Sequence, residues 1–195
     1  MRTTTKSKRM LAGVATVALL GFPLAACSND SNASAASSSA PKPVAVIDAL
    51  TGESTAVKLD VGFTDALTAL KLTPDVIGTA ELTDGSLVFP ITGGNVSVFE
   101  PGSVPNYVVG QIHHEESGFS LTGGDTTVRI INLNVDPGVS RVYADVEVNG
   151  ERVANSAYVF KLNGSTLKPL QTEGSTAILE GTQVQISDVA AGLLN

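Results

Sequence analysis

The chain has one cysteine, Cys27, so no disulfide can form within it. It has no tryptophan, three tyrosines and two histidines, with aromatics at 5% of residues, a small supply of ring side chains for any site. Several motifs are also missing: G-x-S-x-G, H-E-x-x-H, C-x-x-C-H, the P-loop and the dinucleotide fingerprint. Nothing therefore points to a hydrolase, a zinc protease, covalent haem or a nucleotide, and the expectation is a protein that is not an enzyme. Basic residues are scarce: 12 Lys and Arg against 19 Asp and Glu. Four of the 12, Arg2, Lys6, Lys8 and Arg9, precede Cys27, and every acidic residue follows it, so the remainder carries −11. Such a surface excludes the basic footprint of nucleic-acid binding and disfavours clinging to anionic lipid.

What is present begins with a leader. The four basic residues are followed by Met10–Leu24, an apolar run of about fifteen residues, too short to cross a ~30 Å hydrocarbon core comfortably. Leu24-Ala25-Ala26-Cys27 then resembles the lipobox of bacterial lipoproteins. The resemblance implies a signal peptide over 1–26 and acylation of Cys27, the residue that would hold the chain to the outer face of the cell membrane. Two or three acyl chains anchor stably where one does not. Residues 27–43 read as the lipidated cysteine and a disordered Ser/Ala-rich tether, with an r.m.s. reach of roughly 20–25 Å.

Residues 44–195 have the length and patterning of one domain. Short alternating runs rich in Val, Thr and Ile, broken by Gly, Asn, Asp and Pro, predict a mainly β fold. The expected form is an antiparallel β-sandwich or flattened barrel with two short helices. Arg141–Val148 is the clearest two-faced strand, and Asn149-Gly150 after it is a type I′ hairpin signal. Tyr107–Glu115 and Gly118–Leu121 read as strands flanking a polar bend, and the Gly-Gly pairs at 93–94 and 123–124 as hairpin turns. Thr64–Lys71, capped by Thr64 and stopped by Pro74, and Asp188–Leu194, capped by Ser187, read as the helices. A strand follows the first helix at Gly78–Leu82. The strand-then-helix pattern at both ends hints at a repeat, whose second copy either needs no following strand or has lost it by truncation.

His113-His114-Glu115-Glu116 is the one cluster of metal-binding side chains. On a strand, adjacent residues face opposite ways, so the two histidines cannot easily share an ion, and no metal site is expected. The plain reading is a solvated strand end. The order Gly110-x-Ile112-x-His114, Gly118-Phe119-Ser120-Leu121, Thr127-Val128-Arg129-Ile130 and Val142–Asp145 resembles the HtaA domain of actinobacterial surface proteins. That resemblance implies a β-rich surface domain that binds haem through a tyrosine supported by a histidine. His114, or His113 one residue off register, falls at the family's histidine. The family's tyrosine lies near the start of its domain, whereas the first tyrosine here is Tyr107. The expected function is a lipid-anchored surface binding module, with His113, His114 and Tyr107 as ligand candidates and haem as the implied cofactor. The alternative is a structural or protein-interaction lipoprotein with no small-molecule site.

Overall fold

The structure, a computed structural model, describes residues 40–193. The leader, Cys27 and the tether to residue 39 lie outside the described residues, as does Leu194 of the expected second helix. In chain order the elements are β1 (Ala45–Ile47), β2 (Ser54–Lys58), α1 (Val61–Ala69), β3 (Thr73–Gly78), β4 (Glu81–Thr83), β5 (Ser86–Pro90) and β6 (Gly93–Val98). The long strands follow: β7 (Val108–Gly123), β8 (Thr126–Asp136), β9 (Arg141–Val148) and β10 (Glu151–Asn163). The chain then forms β11 (Gln171–Glu173), β12 (Thr176–Ile178), β13 (Gln183–Ile186) and α2 (Asp188–Leu193).

These make a mainly β, sandwich-like domain with three antiparallel sheets. The large sheet runs β1-β6-β7-β8-β9-β10-β13 and does not close into a barrel. The others are β2-β5-β4 and the β11-β12 hairpin. β9 buries Val142, Ala144 and Val146 as its alternation predicts, and the hairpin to β10 turns through Asn149 and Gly150, both at positive φ (50° and 84°). Inner-face rows cross the strands in register. Phe119, Ile130, Val146 and Ala154 are successive partners on β7, β8, β9 and β10. They join Leu87 and Phe89 of β5 and Leu67 of α1 in the main core. Each fully buried side chain of this kind contributes roughly 1.5–3 kcal/mol. A smaller core groups Val96, Val98 and Val108 with Tyr107, Leu167 and Leu179.

Four sequence expectations need correction. The bend expected between Glu115 and Gly118 is a β-bulge within one strand, β7. There β7 changes partner: β6 pairs with Val108–His113, and β3 with Ser117–Thr122 on the same edge. Gly93-Gly94 opens β6 and is not a turn; a Cβ on Gly94 would come 2.0 Å from the Gln111 carbonyl, so close strand approach explains that glycine. The strand expected at 78–82 is split because Gly78, at φ 65°, ends β3 before β4 begins. Pro74 lies inside β3, an edge strand that tolerates its missing N–H. Finally, α1 starts earlier than expected, with Asp60 Oδ1 accepting the Gly62 N–H at 2.8 Å, while Thr64 turns its hydroxyl back to the Val61 carbonyl. Its inward residues are therefore Phe63 and Leu67, and Leu70 is exposed. Ser187 caps α2 as expected, accepting the Ala190 N–H at 3.0 Å.

Candidate functional site

The two histidines do lie on opposite faces of β7. His114 points inward and is 1% exposed. The Leu133 carbonyl 3.3 Å from Nδ1 can only accept, so Nδ1 carries the proton and Nε2 accepts from the Thr55 hydroxyl at 2.8 Å. Phe89 meets the ring edge-on at 6.2 Å. Since Thr55 and Phe89 lie on β2 and β5, this imidazole is a polar bridge between the two layers. Burial, helped by the neighbouring His113, lowers its pKa to about 4 against the opposing Leu133 hydrogen bond.

Tyr107 is elsewhere. Its ring packs against the smaller core, and its hydroxyl donates to the Leu167 carbonyl at 3.3 Å. The structure thus separates the three expected ligand residues: His114 in the main core, Tyr107 at the smaller one, His113 on the outer face. Both ring nitrogens of His114 are already engaged within the fold, so this set does not fit an axial tyrosine–histidine site for haem. Among the described residues no three His, Cys, Asp or Glu side chains gather to hold a metal ion.

His113 lines an open groove of about 430 Å³ on the outer face of the large sheet. The register explains its floor. His113 is opposite Asn134, Asn134 opposite Tyr143, and Tyr143 opposite Tyr158, one straight row across β7, β8, β9 and β10. Gln111 Oε1 accepts from His113 Nε2 at 3.3 Å and from Asn134 Nδ2 at 3.4 Å. Asn134 Oδ1 is buried without a hydrogen-bond partner. Tyr143 and Tyr158 stand 6.1 Å apart with a 49° tilt, and the Arg141 guanidinium covers Tyr158 at 4.6 Å.

A second line of residues borders this row. Glu116 on β7, Asn132 on β8 and Ser156 on β10 have φ of 57°, 55° and 49°, and each lines the groove. Each sits where its strand's register slips. Glu116 and Ser156 carry strain of about 1–2 kcal/mol each in this region, which asparagine enters more easily, and bulges re-aim side chains. Asp145 of the straight strand β9 ties the line together. It accepts from Asn132 Nδ2 at 3.0 Å, the Ser156 N–H at 3.0 Å and Arg152 Nη1 at 2.9 Å. The Glu116 N–H donates in turn to Asn132 Oδ1 at 3.0 Å. Desolvation works to raise the Asp145 pKa, but these donors and the Arg152 charge outweigh it and hold the carboxyl below its ordinary value.

Of the groove residues, sequence reasoning found His113 and its acidic neighbours. It missed Asn132, Asn134, Tyr143, Asp145 and Ser156 as site residues. The available signal was the outward face of Arg141–Val148, which already put Tyr143 and Asp145 together. No protein-family model, curated protein or solved structure matches the chain.

Proposed function

We propose that this chain is an extracytoplasmic lipoprotein, held to the membrane through Cys27, whose β domain binds a small polar ligand in the groove over β7–β10. The observation that carries the binding reading is the line of Glu116, Asn132 and Ser156. Three strands each hold a non-glycine residue at positive φ, two of them (Glu116 and Ser156) of types that rarely adopt it, and all three open on one concavity. Strain of this kind persists where the surroundings impose it, and it gathers at ligand sites. The volume is in the range of small-molecule sites. The leader and lipobox support the anchor.

Two measurements test the reading. Cells fed labelled palmitate should label the whole chain and leave Cys27→Ala unlabelled; label on the variant would remove the anchor. Amide chemical shifts of the ¹⁵N-labelled chain, followed against a panel of small polar compounds, should move at residues 113–116, 132–134, 143–145 and 156. Shifts confined to other surfaces would overturn the groove assignment. A panel-wide absence of shifts would favour the structural or protein-interaction alternative. Hemin is included: a Soret change lost in His114→Ala and Tyr107→Ala would restore the haem reading that the HtaA resemblance implies.

A further inference from the structure

The groove's chemistry narrows what it would hold. Its lining has no Lys or Arg, while Glu115, Glu116 and Asp145 contribute carboxylates. Asp145 is balanced by Arg152 beside it, which leaves the two glutamates to set the field. A phosphate, sulfate or carboxylate ligand would meet repulsion there, and the two bordering cations are already engaged, Arg152 by Asp145 and Glu147, and Arg141 by the Tyr158 ring and the Tyr143 hydroxyl. Haem and other flat apolar ligands fit poorly as well, because the one aliphatic residue of the lining, Leu133, turns its side chain into the main core. The donors and acceptors alternate instead. His113 and Asn134 stand side by side, each with a donor and an acceptor, and Tyr143 adds a ring face and a hydroxyl 3.5 Å from Arg141 Nη1.

The shape is equally specific. From β7 to β10 the row covers three strand spacings, about 14 Å. At its β6 end the partner of His113 is Gly93, where a Cβ would meet nothing within 4 Å, so the row opens onto free space. At the other end Arg141 lies over Tyr158, closing that ring and leaving Tyr143 as the aromatic surface of the groove.

Building on the groove reading above, we infer that the ligand is a short stretch of neutral or amino-bearing glycan. It would lie along the His113–Asn134–Tyr143 row, one sugar ring stacked on Tyr143 and its hydroxyls hydrogen-bonded to the His113 and Asn134 side chains. Vicinal hydroxyls supply the mixed donor–acceptor array that these side chains need, and the apolar C–H face of a pyranose suits the tyrosine ring. The glutamates tolerate a neutral chain and attract an amino sugar.

The test titrates the ¹⁵N-labelled whole chain in detergent with cellotetraose, chitosan tetramer and a sulfated tetrasaccharide. The expected result is saturable movement of the groove amides with one or both of the first two and none with the third. Tyr143→Ala and Asn134→Ala should each weaken binding about tenfold, the worth of one stacked ring or one ligand hydrogen bond. Tyr143→Phe should retain most of it, and Tyr107→Phe all of it. Unchanged amide shifts away from the groove certify that the variants fold. Equal response to the sulfated probe, or none to any glycan, overturns the glycan assignment. If another polar compound still moves the same amides, the groove reading survives; if the glycans move amides elsewhere, both fall.

Discussion

His113 and His114 are chain neighbours, yet the two faces of β7 give them opposite circumstances. The inner face takes His114 into an apolar layer, satisfies both ring nitrogens and uses it to join β7 to β2. The outer face leaves His113 on a groove, bonded to the side chain of Gln111 and next to Asn134. One face uses its polar groups for internal contacts, while the other keeps an unpartnered acceptor and three residues at positive φ. A histidine's role here follows from strand parity, and identity alone says little about it.

The comparison breaks most sharply at the histidines themselves. His114→Ala should destabilise the domain by about 3 kcal/mol, combining a cavity with the stranded Thr55 hydroxyl and Leu133 carbonyl. His113→Ala should cost less than about 0.5 kcal/mol, as an outer-face change does. Urea midpoints measured side by side would show it, and equal losses would refute the asymmetry.

Acid should reach the inner face next. The His114 pKa is about 4 in the fold against an ordinary value of 6.5, so the unfolded chain binds more protons between those values. Stability is therefore full above about pH 6.5 and falls as pH drops toward 4, by roughly 3 kcal/mol in all from this group. The difference between wild type and His114→Gln across that window isolates it from the carboxylates. A difference independent of pH would sink the assignment.

On the outer face, Asp145→Ala should cost about 2 kcal/mol, because it orphans the Asn132 amide and the Ser156 N–H and leaves Arg152 with Glu147 as its one carboxylate partner. Hydrogen exchange should quicken at Glu116 and Ser156 in that variant. Slow exchange retained at both would show that Asp145 does not hold the line together. The smallest effect should be a gain. Ser156→Gly relieves a left-handed serine and should stabilise by about 0.5 kcal/mol after glycine's own entropy, while weakening any groove ligand. Loss of stability would show that the Ser156 side chain carries more than its backbone strain suggests.

Much of the fold was legible because its signals are local. Arg141–Val148 alternates cleanly, and Asn149-Gly150 fits the positive φ that its turn requires. The partner change on β7 was not legible. A bulge shifts parity, so Gln111 and Gly118 read as belonging to two strands, although one chain passes through both. The groove was hidden for a related reason. His113, Asn134 and Tyr143 lie far apart in the chain and meet through register alone, which follows from bulge positions that no local pattern announces.

The bulges on β7, β8 and β10 have a further consequence when strand parity is treated as a reading frame. Each is a frameshift, and β9 between them keeps the original frame with Val142, Ala144 and Val146 all inward. One shift on each of the three strands falls at this level, β10 carrying two more at 152–154 and 158–160, and Ile112, Val135, Val142 and Phe160 are matched on one side of the line, Phe119, Ile130, Val146 and Ala154 on the other. Deleting one bulge residue would put half of its strand out of frame with both neighbours and turn buried side chains to water. Lineages of this domain should therefore lose or gain such residues in compensating sets, and a single deletion at 116, 132 or 156 should be rarer than one at any hairpin turn.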